Sequence, residues 1–186
     1  MAFDPRPLIP SRPRVARPAS RGWNSLKTLG QIVVMWSLLL GLLPLGIDLL
    51  ERRLGWPRLP AFPLVGTLLF VAASLCGLVT ANALVRDGDG TPLPLDTARK
   101  LVVTGPYRYV RNPMAMFGFA QGIGLGIGLG SPAVLAYTAV GMVIWQHLAR
   151  PWEEADLEQR FGDRYRRYRA AVRCWIPRLQ PYTDGE

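Results

Sequence analysis

The chain has little of the material from which disulfide frameworks and metal centres are built, with two cysteines and one histidine among 186 residues. Cys76 lies in an apolar segment and Cys174 in a basic tail, so we do not expect them to pair. Neither cysteine has a metal-ligand partner close by in the sequence. The sequence therefore excludes a disulfide scaffold and a cysteine-based metal site.

Charged residues are also few, at 19% of the chain against 49% hydrophobic residues, which is apolar for a soluble protein of this length. The net charge is +9 at pH 7. Because the arginines flank apolar segments, they suit anionic lipid headgroups better than nucleic acid, which needs a soluble basic face. We therefore expect membrane lipids as partners, and no nucleic acid.

The apolar residues are concentrated in four segments, which predict an all-α fold, an integral membrane bundle of about four transmembrane helices. Two segments of about 22 residues are long enough to cross roughly 30 Å of hydrocarbon. Two shorter segments are separated only by Gly130 and Ser131, which predicts a tight helical hairpin. The predicted helices are 29–50, 64–85, 114–129 and 132–148.

Residues 1–22, rich in proline, arginine and serine, predict a disordered basic arm, and 23–186 predict one domain. The arm is too long and its apolar neighbour too extended for a signal peptide. Arginines and a lysine before the first helix should hold that end in the cytoplasm. We therefore expect an integral protein of the bacterial inner membrane with both termini cytoplasmic. Asp48, near the outer end of the first helix, is expected to be a solvated boundary residue.

Glycines recur every four residues in the third apolar segment, at Gly118, Gly122, Gly126 and Gly130. This spacing predicts one helix face on which another helix packs closely. A nucleotide-binding loop is the alternative, but no basic or hydroxyl residue accompanies these glycines.

The C-terminal region predicts an amphipathic helix at 153–173, bent at Gly162 and stopped by Pro177. Its acids lie in the first turn and its arginines in later turns, as the helix dipole prefers. We expect its apolar face to rest on the inner membrane surface. That face comprises Leu157, Phe161, Tyr165, Tyr168 and Val172.

Two polar clusters adjoin the hairpin. The run Gly-Pro-Tyr-Arg-Tyr-Val-Arg-Asn-Pro occupies 105–113, and adjacent carboxylates follow the hairpin at Glu153 and Glu154. Together with Phe161-Gly162, the two spaced tyrosines and a closing Ile176-Pro177, this order resembles the isoprenylcysteine carboxyl methyltransferase and phospholipid methyltransferase superfamily. The resemblance covers roughly 88–177, about half of the chain.

The resemblance implies a membrane enzyme that uses S-adenosylmethionine, bound under the loop 86–113 and the C-terminal helix. Methyl transfer is a direct displacement from a sulfonium, so positioning supplies much of the rate and no catalytic metal is expected. Arg111 and Asn112 suit the cofactor carboxylate, the acid doublet suits its ammonium or ribose hydroxyls, and Tyr107 suits its adenosine. The implied cofactor-binding residues are Lys100, Leu101, Val102, Tyr107, Arg111, Asn112, Pro113, Met114, Glu153 and Glu154.

Two departures from the carboxyl methyltransferases affect the catalytic residues. Their histidine is Asn112 here, which cannot take up a proton at neutral pH. Their arginine four residues before the glutamate is Ala149 here, with Arg150 next to it. His147, as a base for a phenol, thiol or amine, and Arg150 are therefore the predicted catalytic residues. A structural interfacial role is the alternative for His147.

We therefore expect methyl transfer from S-adenosylmethionine to a lipophilic acceptor, such as a lipid, a prenylated molecule or a small hydrophobic molecule. A steroid or sterol reductase using a nicotinamide dinucleotide phosphate, and a scaffold without catalysis, are the alternatives. The acceptor and the oligomeric state are left open by the sequence.

Overall fold

The computed structural model describes residues 20–89 and 98–184. Within these ranges the chain forms helices and contains no strand, and several apolar helices could span a membrane, which confirms the predicted fold class. Most of the predicted basic arm, at 1–19, and part of the predicted cofactor loop, at 90–97, lie outside the described residues.

Two long helical rods each contain an internal π-helix. The first comprises α1 (Arg21–Trp36), the π-helix Ser37–Leu42 and α2 (Leu43–Arg53). The second follows the hairpin turn and comprises α5 (Pro132–Ile144), the π-helix Trp145–Ala149 and α6 (Arg150–Ala171). Between the rods lie α3 (Pro63–Gly88), a short 3-10 helix (Gly105–Arg108) and α4 (Pro113–Leu129).

Three helical stretches of the described chain are long and apolar enough to cross a membrane, namely Gly22–Arg53, Pro63–Gly88 and Pro132–Ala171. The fourth apolar helix, α4, is shorter, with 17 residues. At 1.5 Å per residue, the 40 residues of the last stretch extend about 60 Å, twice the hydrocarbon thickness. Its apolar first part therefore suffices to span, and the charged α6 projects beyond the membrane.

The first and last predicted helices differ from the observed ones at their ends. The first begins at Arg21 rather than 29, because Ser20 caps it by accepting a hydrogen bond from the Trp23 backbone N–H at 3.2 Å. The amphipathic helix is not separate, since α6 continues from α5 without a break. It carries the expected bend at Gly162, where φ is 52° and ψ is −128°.

Each π-helix precedes a proline, Pro44 in α2 and Pro151 in α6. Proline has no N–H to donate to the carbonyl four residues earlier, so the backbone widens locally into the i to i+5 pattern. Both helices therefore stay continuous through a position that would otherwise break them.

Glycines in α4 pack against two neighbouring helices rather than one. A Cβ on Gly122 would lie 2.6 Å from the Thr138 hydroxyl of α5, whereas Gly124 lies against the backbone of Gly66 in α3. The predicted single glycine face is thus incomplete, because the intervening glycines form a second face toward α3. Gly118 packs on neither helix, since a Cβ there would meet no atom within 4 Å.

A buried ion-pair cluster closes the end of the bundle opposite α6. Arg58 contacts Asp48 at 2.6 Å and Glu51 at 2.9 Å, and it donates to the Leu129 carbonyl at the hairpin turn. Glu51 also accepts from Ser131. The expectation of a solvated Asp48 is wrong, because its carboxylate is held by Arg58 and Arg52 and the residue is 7% exposed.

Replacing Gly66 by alanine is expected to lower the free energy of unfolding by about 1–3 kcal/mol, as overpacking does. The new Cβ would lie 2.4 Å from the Gly124 carbonyl oxygen, so α3 and α4 must separate. Unfolding in mixed micelles, followed by circular dichroism, measures the loss. Gly77→Ala in the same helix is the control, since its Cβ meets nothing closer than 3.9 Å. Equal losses in both variants would show that close glycine packing does not hold these helices.

Candidate active site

A cavity of about 720 Å³ opens between α1, α4, α5, the start of α6 and the connector, which we define as residues 98–112. This volume suits a ligand of several hundred daltons. Its lining is mostly apolar along α1, α4 and α5. All of its charged lining residues belong to the connector or α6, and they are Lys100, Arg111, Glu153, Glu154, Asp156 and Arg160.

The structure brings most of the predicted cofactor-binding residues to this one cavity. The lining includes Lys100, Leu101, Val102, Tyr107, Arg111, Asn112, Met114, Glu153 and Glu154. Pro113 is absent from the lining, because it is buried at the start of α4. The two polar clusters, about forty residues apart in sequence, are therefore neighbours in space.

The two carboxylates of the acid doublet have different environments. Glu154 accepts from the Arg111 guanidinium at 3.1 Å and from the Arg150 guanidinium at 2.8 Å. Glu153 lines the cavity with neither an ion pair nor a hydrogen bond within the described part of the chain. Glu154 is thus committed to protein structure, whereas Glu153 is available to a ligand.

Burial, followed by the charge of the neighbouring Glu154 carboxylate, raises the pKa of Glu153 from its ordinary value of 4.5 to about 7. No cation among residues 20–89 and 98–184 offsets these effects, because the nearby arginines are bonded to Glu154. A bound cation or hydrogen-bond donor would stabilise the ionised form. An unpaired, partly buried carboxylate of this kind in a cavity indicates a functional site.

Arg111 fastens the connector to α6. Its guanidinium donates to the Arg169 carbonyl at 3.3 Å besides pairing with Glu154, and its backbone N–H donates to the Arg173 carbonyl at 3.0 Å. The side chain is 8% exposed, so these bonds form away from water and are stronger for it. Arg111 therefore fixes where the acid doublet lies relative to the connector.

The C-terminal tail runs along the outside of the connector and holds it from the other side. The backbone N–H groups of Arg178 and Tyr182 donate to the carbonyls of Tyr109 and Arg108, at 2.8 and 2.9 Å. The Tyr168 hydroxyl donates to the Tyr107 carbonyl at 2.7 Å. The segment that carries Tyr107 is thus bonded to both α6 and the tail.

The apolar face of α6 packs on protein and not on a membrane surface, so that expectation is wrong. Tyr165 and Val172 are fully buried, and with Tyr168 they form one core with Leu101 and Val103 of the connector. Periodicity identifies an apolar face but not what covers it. Here the connector covers the apolar face of α6. The cavity therefore lies between the connector and α6.

The two predicted catalytic residues lie outside the cavity lining. His147 is exposed, on the π-helix Trp145–Ala149. Arg150 reaches the site only through Glu154. Asn112 does line the cavity, and its amide has a weak contact with the Cys174 sulfur at 3.8 Å.

Several lining residues were missed by the sequence analysis. Asp156 and Arg160 pair at 3.0 Å on the α6 wall, and Arg160 also donates to the Ala98 carbonyl. Gln31 and Gln121 lie deeper, on α1 and α4. Gln121 had a signal, since it is the lone amide in an otherwise apolar, glycine-rich segment.

Apolar helices able to cross a membrane, with a charged cavity where they meet α6, define a membrane protein with a ligand site at one end of its bundle. The profile of the phospholipid methyltransferase family matches residues 62–164, more than half of the chain. The chain therefore belongs to the phospholipid methyltransferase family. The resemblance drawn from the motifs is confirmed.

Among solved structures, the chain is similar to one described as the structure of the eukaryotic intramembrane Ras methyltransferase ICMT (isoprenylcysteine carboxyl methyltransferase) in the absence of a monobody. The identity is 22% and the TM-score is 0.41. The similarity covers 88% of this chain and 53% of that chain, so this chain spans about half the length of the other. No curated protein sequence gives a significant match.

The different environments of Glu153 and Glu154 predict different effects of their substitution on stability. Glu154→Gln should lower the free energy of unfolding by about 1–3 kcal/mol, because it leaves two partly buried arginines without their shared carboxylate. Glu153→Gln should not lower it at neutral pH, since Glu153 has no partner to lose. Thermal unfolding in detergent, followed by circular dichroism, measures both.

The pH dependence of stability separates the two variants further. The folded-state pKa of Glu153, about 7, lies above the ordinary value of 4.5, so the folded protein binds this proton more tightly than the unfolded chain. The contribution of Glu153 to stability therefore falls as pH rises from about 4.5 to about 7. Glu153→Gln should lack that fall. A fall of the same size in the variant would contradict the assigned environment.

Proposed function

We propose that this membrane protein is a methyltransferase, which takes its methyl group from S-adenosylmethionine bound at the charged end of the cavity and delivers it to a lipophilic acceptor in the apolar part. The observation that carries the proposal is Glu153, an unpaired carboxylate that lines a ligand-sized cavity beside the connector. When bound, S-adenosylmethionine supplies an activated methyl group on a sulfonium.

The residues at the charged end fit the polar groups of such a cofactor. Glu153 accepts hydrogen bonds from its ammonium or ribose hydroxyls, and the Asn112 amide donates to its carboxylate. The Tyr107 ring packs against its adenosine. Burial and the hydroxyl of Tyr168 hold the pKa of Tyr107 well above its usual range, so that phenol stays neutral. Arg111 takes a positioning role here, because Glu154 already occupies its guanidinium.

Positioning accounts for much of the rate in a direct displacement. The connector, held by α6 and by the tail, forms a fixed wall on one side of the reactants. The apolar remainder of the cavity excludes water and receives the acceptor from the bilayer, between α1 and α5. The family description names phospholipids, and we include them among the acceptors proposed for this chain.

The charge pattern favours this cofactor over a nicotinamide dinucleotide phosphate. The cations that line the cavity are each paired with a carboxylate, Lys100 with Asp89, Arg111 with Glu154 and Arg160 with Asp156. Several phosphates would need cations without such partners. S-adenosylmethionine is a zwitterion and needs only one carboxylate and a few hydrogen-bond donors, and the cavity provides these groups.

The arginines of α6 and the connector support a cytoplasmic location for the charged end of the cavity, because the positive-inside rule favours arginine on that side. This orientation opens the cofactor end to the cytoplasm and the acceptor end to the bilayer. A bacterial inner membrane with both termini cytoplasmic is part of the same proposal.

Calorimetry with S-adenosylhomocysteine in detergent tests the proposal. We expect binding by the unmodified protein and a loss of about 10- to 100-fold in affinity for Glu153→Gln, the usual effect of removing a hydrogen bond to a charged group. Glu158→Gln is the control, because Glu158 lies on the same helix but pairs with Arg166 and Arg169 outside the cavity. Absence of binding by the folded, unmodified protein would overturn the cofactor assignment.

The same affinity should rise with pH. Only the ionised carboxylate binds an ammonium strongly, and the pKa of Glu153 is about 7. Affinity for S-adenosylhomocysteine should therefore increase about tenfold from about pH 6 to about pH 7.5 and then level off. In Glu153→Gln, the affinity for S-adenosylhomocysteine should not change across this pH range. A steep rise that persists in the variant would assign the titration to another group.

A further inference from the structure

Two amide side chains lie in the apolar part of the cavity, on two different helices. Gln31 of α1 and Gln121 of α4 both belong to the lining, although apolar residues surround them. Gln121 is 2% exposed. Amides within spanning helices are costly unless they bond to a neighbour or to a ligand. Neither amide takes part in the proposed cofactor contacts.

The orientation of the Gln121 amide follows from its neighbour Ser74 on α3. The Ser74 hydroxyl donates its hydrogen to the Phe70 carbonyl at 2.7 Å. The serine oxygen can then only accept, so the group of Gln121 that faces it at 2.8 Å must be the NH₂. The carbonyl oxygen of Gln121 is left without a partner in the described chain, on a side chain that lines the cavity.

Gln31 also carries a carbonyl oxygen without a partner. Its Oε1 atom is buried and has no hydrogen-bond partner within the described residues. The ring contact between Trp36 and Phe70 aligns α1 with α3. Toward the proposed cytoplasmic side, Gln31 lies five residues from Trp36 along α1, a rise of about 7 Å. In the same direction, Ser74 lies four residues from Phe70 along α3, a rise of about 6 Å. The two amides therefore lie at a similar depth.

This depth separates the amides from the proposed cofactor end. Gln121 follows Asn112 by nine residues, eight of them helical rises of α4, which is about 12 Å. Hydrogen-bond acceptors without donors, buried in an apolar cavity, are favourable only if a ligand supplies the donors. A simple hydrocarbon chain would leave both oxygens unsatisfied.

We propose that Gln31 and Gln121 form a specificity site for the acceptor, which recognises an N–H or O–H donor carried within the acceptor's apolar body, at a depth about 12 Å along α4 from Asn112 at the proposed cofactor end. This inference rests on the proposed function, since it assigns the substrate class of the same cavity. The acceptor is then an amphiphile with an internal amide or hydroxyl group, and not a plain alkyl chain.

A matched pair of probes tests the site. N-octyl octanamide and octyl octanoate have the same length and carbonyl, but only the amide carries an N–H donor. Quenching of tryptophan fluorescence reports binding, because Trp36, Trp145 and Trp152 line the cavity. We expect the unmodified protein to bind the amide about three- to tenfold more tightly than the ester, as one buried hydrogen bond provides.

Gln31→Leu and Gln121→Leu should each reduce this preference, and the double variant should abolish it. Thr138→Val is the control, because the Thr138 hydroxyl also belongs to the lining but already donates to the Val134 carbonyl at 3.0 Å. It should keep the preference. Equal affinities for the two probes in the unmodified protein, or an unchanged preference in the double variant, would overturn the inference.

The probe comparison uses the unmodified protein, so it stands even if a variant does not fold. Calorimetry with S-adenosylhomocysteine on the same preparation separates this inference from the proposed function. Binding of S-adenosylhomocysteine without an amide preference overturns the specificity site alone. An amide preference without that binding supports the site and overturns the cofactor assignment.

Discussion

The ion pairs that join Glu154 to Arg111 and Arg150 hold the connector against α6, and the charged end of the cavity depends on them. These groups are largely buried, so their attraction is little screened, and losing one partner would leave the others unsatisfied. The core around Tyr165 and Tyr168 and the backbone bonds from the tail reinforce the same contact. The membrane helix bundle thereby gains a rigid polar wall at one end of its cavity.

Arg111 and Arg150 both pair with Glu154, and this pairing determines the environment of the neighbouring Glu153. Glu153 lies one residue away, faces the cavity, and receives no compensating cation, so burial raises its pKa to about 7. Two adjacent and identical side chains thus have different environments, since Glu154 is paired with arginines and Glu153 faces the cavity. The division arises because successive helix residues point about 100° apart, so that only one of the pair can face the connector's guanidinium directly.

The apolar part of the cavity depends on how closely α4 packs on its neighbours. Its glycines bring the backbones of α3 and α4 into contact at Gly66 and Gly124, while Gly118 leaves open space toward the cavity. The same helix therefore packs tightly toward its C-terminal end and leaves open space toward its N-terminal end. Gln121 lies where these regions meet, bonded to α3 on one side and facing the cavity on the other.

The sequence by itself determined the helical membrane class, the tight hairpin and the residues that gather at the charged end, because hydrophobic length and local motifs encode these directly. It could not distinguish Glu153 from Glu154, place His147 and Arg150 outside the lining, or show that Asp48 is buried, since each depends on partners far along the chain. The helical periodicity also predicted that the apolar face of α6 rests on the membrane surface, whereas this face packs on the connector. Only the tertiary structure decided these points, because burial and ion pairing are properties of contacts between segments and leave no local periodicity.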